Sequence, residues 1–128
     1  MKRRGILNVQ LSAAIASLGH TDTMVIADSG LPVPQGVELI DLAVVLGTPG
    51  FLPVLDAVLD DVVVEHVVFA SEAITHEMGR ELLERFPDAE TVPHEGFKAL
   101  TASARFVVRT GEATPYANVI LRSGVAFS

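Results

Sequence analysis

The sequence predicts a single α/β domain over residues 1–128, in which helices cover both faces of a largely parallel sheet. Short β-branched runs alternate along the chain with segments whose apolar residues recur at helical spacing, a pattern typical of α/β/α layering. The 128 residues suffice for one core, and no break in composition suggests a linker. We therefore expect one layered domain without internal repeats.

The first predicted element is a helix that ends at Gly19. Asn8 is a suitable N-cap, and the residues after it place apolar side chains on one face, namely Leu11, Ala14, Ile15 and Leu18. A glycine at such a stop often adopts the left-handed conformation, so we expect a sharp turn that displays His20 just past the helix end. The helix C-terminus would favour a protonated imidazole there.

A buried strand follows, with a polar residue beyond each end. Thr23–Ala27 is short, β-branched at its centre and bounded by turn residues. His20 precedes it and Asp28 ends it. Pro32 and Pro34 then impose a stiff, extended loop that holds the backbone near Asp28 in one shape. Titratable groups beside turns at strand ends are a common way of presenting chemistry at a sheet edge.

The rest of the chain continues the alternation of strands and helices. Further strands are expected within Val37–Leu46, Val62–Phe69, Arg105–Arg109 and Asn118–Leu121. Further helices are expected to open at Pro53, to run from Thr75 to Phe86, and to start briefly at Pro93–Phe97. Glu65 and His66 interrupt the apolar run of the second of these strands.

Composition narrows the functional classes. The net charge is −7 and the nine lysines and arginines are scattered, so the chain lacks the basic face that nucleic acid requires. The absence of cysteine excludes a disulfide framework, a thiol nucleophile and a thiolate metal site. No apolar run approaches the length of a membrane span. We expect a cytoplasmic protein with neither a nucleic-acid nor a membrane partner.

The apolar content is high for one small domain. Apolar residues make up 49% of the chain, and adding its 10 glycines takes the apolar share above the ~45–50% that is usual for soluble domains. Because no segment is suited to a membrane, the surplus is expected to face other copies of the chain. The composition therefore predicts a homo-oligomer.

Four histidines are candidates for chemistry. No pair has the offset of common zinc motifs, so we expect no metal site. His66 within a strand and His76 on the polar face of a helix fit core or surface roles better than functional ones. His20 stands beside hydroxyls and a carboxylate, which suits acid–base catalysis, although its spacing alone leaves a surface role equally open. His94 fits a helix cap, and Asp28 fits a cap of the Ser-Gly turn as well as a site.

The only tyrosine, Tyr116, follows a proline and stands two residues before Asn118. Both side chains form directional hydrogen bonds with hydroxyls, which suits a sugar better than an anion, and the alternative is a tyrosine that fills a loop. The chain has no glycine-rich phosphate loop, no Gly-x-Ser-x-Gly elbow and no dinucleotide fingerprint. Kinase, hydrolase and dehydrogenase interpretations therefore lose their usual support.

Several separated motifs carry a resemblance that runs from the first ten residues to the last ten. They are Asn8, Gly19-His20-Thr21-Asp22-Thr23, Asp28-Ser29-Gly30-Leu31-Pro32, His94 before Phe97-Lys98, Arg109-Thr110-Gly111-Glu112 and Pro115-Tyr116-Ala117-Asn118. In this order they resemble the RbsD/FucU family of sugar mutarotases. The Ser-Gly-Leu-Pro segment after Asp28 is similar to the D-ribose pyranases of the family rather than to its fucose mutarotases.

The resemblance implies an RbsD-like fold and a cytoplasmic enzyme that interconverts the pyranose and furanose forms of D-ribose without metal or organic cofactor. It implies that His20 is the proton donor. The sugar-binding residues that it implies are Asp28, His94, Tyr116, Ala117 through its backbone, and Asn118. The family forms ring-shaped homo-oligomers, commonly decamers, with sites near subunit boundaries, so we expect the same assembly here.

Two alternatives remain open from the sequence. One is a mutarotase for another aldose, such as fucose. The other is a non-catalytic sugar-binding or regulatory subunit of a sugar uptake system. A pure binder needs no group that titrates near neutrality, so His20 favours the enzyme, but only weakly.

Overall fold

The computed structural model describes all 128 residues, and its centre is a six-stranded sheet. The strands are β1 (Thr23–Ala27), β2 (Glu38–Asp41), β3 (Val64–Ala70), β4 (Glu90–Val92), β5 (Phe106–Arg109) and β6 (Val119–Ser123). Their order across the sheet is β2-β5-β1-β6-β3-β4. All strands except β6 share one direction, and β6 runs against both of its neighbours. The sheet is thus largely parallel, as predicted.

Four helices accompany the sheet. They are α1 (Val9–Ala16), α2 (Phe51–Asp61), α3 (Glu77–Arg85) and α4 (His94–Leu100). Asn8 caps α1 as predicted, because its side-chain oxygen accepts a hydrogen bond from the Leu11 N–H at 2.9 Å. The longest of these helices has 11 residues, and none combines the length and apolar character needed to cross a bilayer.

The two faces of the sheet bury separate apolar clusters. Met24 and Ile26 of β1 point into a cluster of 19 buried residues that includes side chains of α1, α2 and α3. Val25 and Ala27 point the other way, into a cluster of 9 buried residues that includes Phe97 of α4. Helices therefore cover both faces, and the predicted α/β/α layering is confirmed.

Some elements differ from their predicted extents. β2 covers only Glu38–Asp41 because its one neighbour, β5, offers four residues for pairing, from Phe106 to Arg109. β4 was not predicted, since three residues are too few to show an alternating pattern. The predicted helix over 75–86 is a 3₁₀ turn at Ser71–Thr75 followed by the shorter α3.

The turn after α1 also differs from the prediction. Its left-handed residue is Thr21, with φ of 73°, and not Gly19. The Gly19 N–H donates to the Asp22 carboxylate at 2.8 Å, and the Thr21 N–H donates to the carbonyl of Ser123, at the end of β6, also at 2.8 Å. The turn is therefore set by contacts with an aspartate and with β6 rather than by the flexibility of glycine, and it displays His20 as expected.

Candidate active site

Asp28 follows β1 and closes a tight turn. Its Oδ1 accepts hydrogen bonds from the N–H groups of Gly30 at 3.0 Å and Leu31 at 2.9 Å. This is the turn cap that the sequence allowed as the simple interpretation of Asp28. The turn bonds use only one carboxylate oxygen, so the cap does not exclude a second role for Oδ2.

The Asn118 side chain forms hydrogen bonds with both the backbone and the carboxylate of Asp28. Its Oδ1 accepts from the Asp28 N–H at 2.8 Å, and its Nδ2 donates to Asp28 Oδ2 at 3.1 Å. The contact follows from topology, because β6 pairs antiparallel with β1 in a register that sets Val119 opposite Ile26. The residue before β6 must then lie beside the residues that follow β1. Only 2% of Asn118 is exposed, so the two-bond clasp is shielded from water.

Tyr116 adopts a backbone conformation that is costly for a residue with a side chain. Its φ is 62°, in the left-handed region, and such strain costs about 1–3 kcal/mol and concentrates at functional sites. Its ring meets His94 edge-on with centroids 5.2 Å apart, and meets His76 in the same way at 5.3 Å. The sequence assigned His76 to the polar face of a helix. In the structure it is the N-cap residue of α3, and its ring packs against Tyr116.

His94 is the first residue of α4. Its backbone N–H donates to both carboxylate oxygens of Glu72, each at 3.0 Å, and this contact lowers the pKa of Glu72. The imidazole stacks on Phe97, with centroids 6.4 Å apart. Its buried Nδ1 has no hydrogen-bond partner. Unpaired buried nitrogens are rare in folded proteins, and their explanations include a functional role or a bound water.

The loop between β5 and β6 is held by Glu112. Its Oε1 accepts from the Phe51 N–H, at the start of α2, at 2.9 Å, and its Oε2 accepts from the Thr114 hydroxyl at 2.8 Å. These bonds lower the pKa of Glu112, the contact with Phe51 contributing most. The Glu112 carbonyl also accepts the Ser29 N–H at 2.9 Å. Glu112 therefore couples the Tyr116 loop to the Asp28 turn.

One open cleft of about 290 Å³ collects these side chains. It is lined by Asp28, Gly30, Leu31, Pro32, His94, Lys98, Pro115, Tyr116 and Asn118. All four sequence-predicted binding side chains are among them. Ala117 is fully buried and is not among the lining residues, so the backbone contact that the resemblance implied for it stays a prediction.

Lys98 is a lining residue that the sequence interpretation did not include among the binding residues. It follows His94 by one helical turn, and its ammonium lies 2.8 Å from a carboxylate oxygen of Glu95. The spacing of four residues, which places His94 and Lys98 on one side of a helix, was the signal available in the sequence.

His20 does not line this cleft. It precedes the N-terminal end of β1, whereas Asp28 follows the C-terminal end, and the five steps from Thr23 to Asp28 span roughly 17 Å of extended chain. The expectation that both residues flank one buried strand is correct, but they lie at opposite edges of the sheet. A single chain therefore does not bring His20 and Asp28 around one small ligand.

The cleft is suited to an uncharged, hydroxyl-rich ligand. The carboxylate of Asp28 accepts hydrogen bonds, the ammonium of Lys98 donates them, and the phenol of Tyr116 does both. No group of three His, Asp or Glu side chains is arranged to hold a metal ion. His66, on β3, does not line the cleft, and its Nε2 lies 3.0 Å from a carboxylate oxygen of Glu90 on β4.

Comparison with known proteins shows the family to which the chain belongs. The model of the RbsD / FucU transport protein family matches residues 1–126. A D-ribose pyranase of Cutibacterium acnes is 56% identical over 127 residues, which cover 99% of this chain and all of that protein. A D-ribose pyranase of Bacillus cereus is 54% identical over 131 residues, with the same coverage.

Two solved structures share the fold. RbsD of Bacillus subtilis, complexed with D-ribose, superimposes with a TM-score of 0.92 at 46% identity, over 99% of this chain and all of that one. The fucose mutarotase of Streptococcus pneumoniae, in complex with L-fucose, gives 0.79 at 23% identity, over 94% of this chain and 95% of that one, and shows the fold alone. The chain therefore belongs to the RbsD / FucU family.

Proposed function

We propose that this protein is a D-ribose pyranase, an isomerase that interconverts the pyranose and furanose forms of D-ribose. The observation that carries the proposal is the cleft in which Asp28, His94, Tyr116 and Asn118 converge, since these are the residues that the ribose-type motifs singled out. The name shared by full-length relatives at 56% and 54% identity supports the same reaction.

The reaction needs acid–base chemistry. A proton must reach the ring oxygen while another leaves the anomeric hydroxyl, the bond between the anomeric carbon and the ring oxygen breaks, and a different hydroxyl then closes the new ring. An imidazole with an ordinary pKa of about 6.5 can exchange such protons near neutrality and typically accelerates a step by roughly 10²–10⁴-fold. In the proposal His20 donates the proton to the ring oxygen.

The remaining residues hold the sugar. Asp28 Oδ2 accepts hydrogen bonds from sugar hydroxyls, while Asn118 and the turn bonds keep its carboxylate fixed. Tyr116 and His94 contact the other hydroxyls, and Ala117 offers only its backbone. Sugars already exchange between ring forms in water, so this small constellation has only a modest acceleration to supply.

The proposal requires that His20 of one copy meets the cleft of another, because the two lie at opposite sheet edges within a chain. Exposed apolar side chains support association between copies; the largest exposures include Leu7, Val9, Val44, Val45, Leu46 and Phe127. We propose a ring-shaped homodecamer in the cytoplasm, as the family resemblance implies, with each site at a subunit boundary.

Exchange NMR on free sugars tests the function. We expect the protein to accelerate the exchange of D-ribose between its ring forms more than that of fucose or galactose. The His20→Ala variant should lose roughly 10²-fold or more of the acceleration and keep its assembly state by light scattering. Faster exchange of fucose would favour the mutarotase for another aldose, and saturable ribose binding without acceleration would favour a sugar-binding subunit.

A further inference from the structure

His20 is held in place by a network at the edge of the sheet away from the cleft. The imidazole Nε2 lies 3.0 Å from Oε2 of Glu65, on β3. The other oxygen of that carboxylate, Oε1, accepts from Nε of Arg122, on β6, at 3.0 Å. Glu65 is thus bound on both sides, by the imidazole and by a guanidinium, and the pair lowers its pKa, the hydrogen bond to His20 contributing most.

Glu65 reaches His20 because β3 is irregular at that point. In the pairing of β3 with β6, Val64 faces Ser123 and His66 faces Arg122, so two steps on β3 match one step on β6. Glu65 is the extra residue of this β-bulge. Bulges re-aim a side chain out of the regular alternation and are frequent next to active sites. The bulge also explains why Glu65 and His66 interrupt the apolar pattern of this strand.

The pairing decides which imidazole nitrogen is available. An ionised carboxylate only accepts hydrogen bonds, so the nitrogen that faces Glu65 carries a proton in both charge states of the ring. Proton exchange with a ligand is then left to Nδ1, which has no hydrogen bond to the rest of the chain. The His20 side chain is 53% exposed, so a second molecule can approach it.

We propose that Glu65 is a positioning residue for His20, which fixes the imidazole tautomer so that Nδ1 handles the proton, while Arg122 holds the Glu65 carboxylate. The inference rests on the proposed function, because it assigns His20 its catalytic nitrogen. In other enzymes, too, a carboxylate that hydrogen-bonds a catalytic histidine orients the imidazole without itself contacting the substrate.

Three variants separate the parts of this role. Glu65→Gln keeps an acceptor for Nε2 and loses the charge, whereas Glu65→Ala loses both. The matched control is Glu90→Gln, because Glu90 forms the chain's second His–Glu contact, with His66 at the same 3.0 Å distance and outside the proposed sites. All three are compared with the wild type by thermal melting and light scattering, so that unfolding or loss of assembly is recognised.

We expect Glu65→Ala to lower kcat for ribose ring exchange by roughly 10–100-fold, with KM within about twofold, since the sugar-holding cleft is untouched. Glu65→Gln should retain more activity. Arg122, which contacts the Glu65 carboxylate, remains unchanged in all variants.

The tautomer provides a readout that does not depend on activity. In the wild type, the ¹⁵N shifts of neutral His20 should show the proton on Nε2, and in Glu65→Ala they should show a mixture of tautomers. Wild-type ring exchange in folded, assembled Glu65→Ala would overturn the role of Glu65 while leaving the function intact. If Glu65→Ala lowers the exchange rate by the same factor in the His20→Ala background as in the wild type, the role of Glu65 is also overturned. Full activity in His20→Ala itself would reject the catalytic role of His20 and with it this inference, whereas a wild-type protein that does not accelerate ribose ring exchange would reject the proposed function.

Discussion

Replacing Asn118 by alanine tests whether the clasp around Asp28 is what holds the cleft. The substitution removes the acceptor for the Asp28 N–H, at 2.8 Å, and the donor to Asp28 Oδ2, at 3.1 Å, inside a region where Asn118 is only 2% exposed. A buried N–H left without a partner costs about 1–3 kcal/mol, so we expect a loss of about 2 kcal/mol in the free energy of unfolding. For a chain of this size, that lowers Tm by roughly 6–10 °C.

Asn8 is the other asparagine of the chain and provides the matched control. It caps α1 at an exposed site, so Asn8→Ala should cost about 1 kcal/mol and leave ribose affinity unchanged. Asn118→Ala should in addition weaken ribose binding by about tenfold or more in calorimetric titration, because one oxygen of Asp28 loses its fixed partner. Unchanged affinity in a folded Asn118→Ala protein would refute the reasoning.

Two further predictions concern stability. Gly79→Ala should destabilise the fold by about 1–3 kcal/mol or more in urea titrations, because the new Cβ would lie 1.9 Å from the Ala73 carbonyl oxygen. Gly96→Ala is the control. Its Cβ would have no atom within contact distance, so the substitution should stabilise α4 by about 0.5–1 kcal/mol. The difference in Tm between the wild type and Glu112→Gln should be widest above about pH 5 and should narrow as pH falls below 4.5, the ordinary pKa of a glutamate. The reason is that the hydrogen bonds from Phe51 and Thr114 favour the ionised carboxylate and so lower the pKa of Glu112 in the folded state. A gap that does not depend on pH would show that the charge of Glu112 is irrelevant.

The sequence predicts the layered fold well because its signals are local. The five residues Thr23–Ala27 form the predicted strand, and Asn8 caps the first helix. The reversal of β6 against its neighbours was not predictable in the same way, since strand direction depends on which edges pair and not on the pattern within Val119–Ser123. β4 was missed because it is short and because its extended conformation depends on pairing with β3 rather than on a pattern within its own residues.

For the site, motif resemblance identified the side chains that converge in the cleft but not how they are held. The roles of Glu112 and Glu72 as anchors arise from backbone groups distant in sequence, which no spacing reveals. The separation of His20 from Asp28 was overlooked for a simpler reason. Nearness along the chain suggested nearness in space, although an intervening strand necessarily sends its two ends to opposite edges of a sheet.

The central claim is that each active site combines the cleft of one copy with His20 of another, and mixing two defective variants tests it most directly. His20→Ala leaves the cleft intact, and His94→Ala leaves both His20 and the backbone contact with Glu72 intact. If the two are co-expressed in equal amounts and mixed assembly is verified by native mass spectrometry, random pairing should restore about one quarter of the wild-type exchange rate. Mixed oligomers no more active than the separate variants would contradict the shared site.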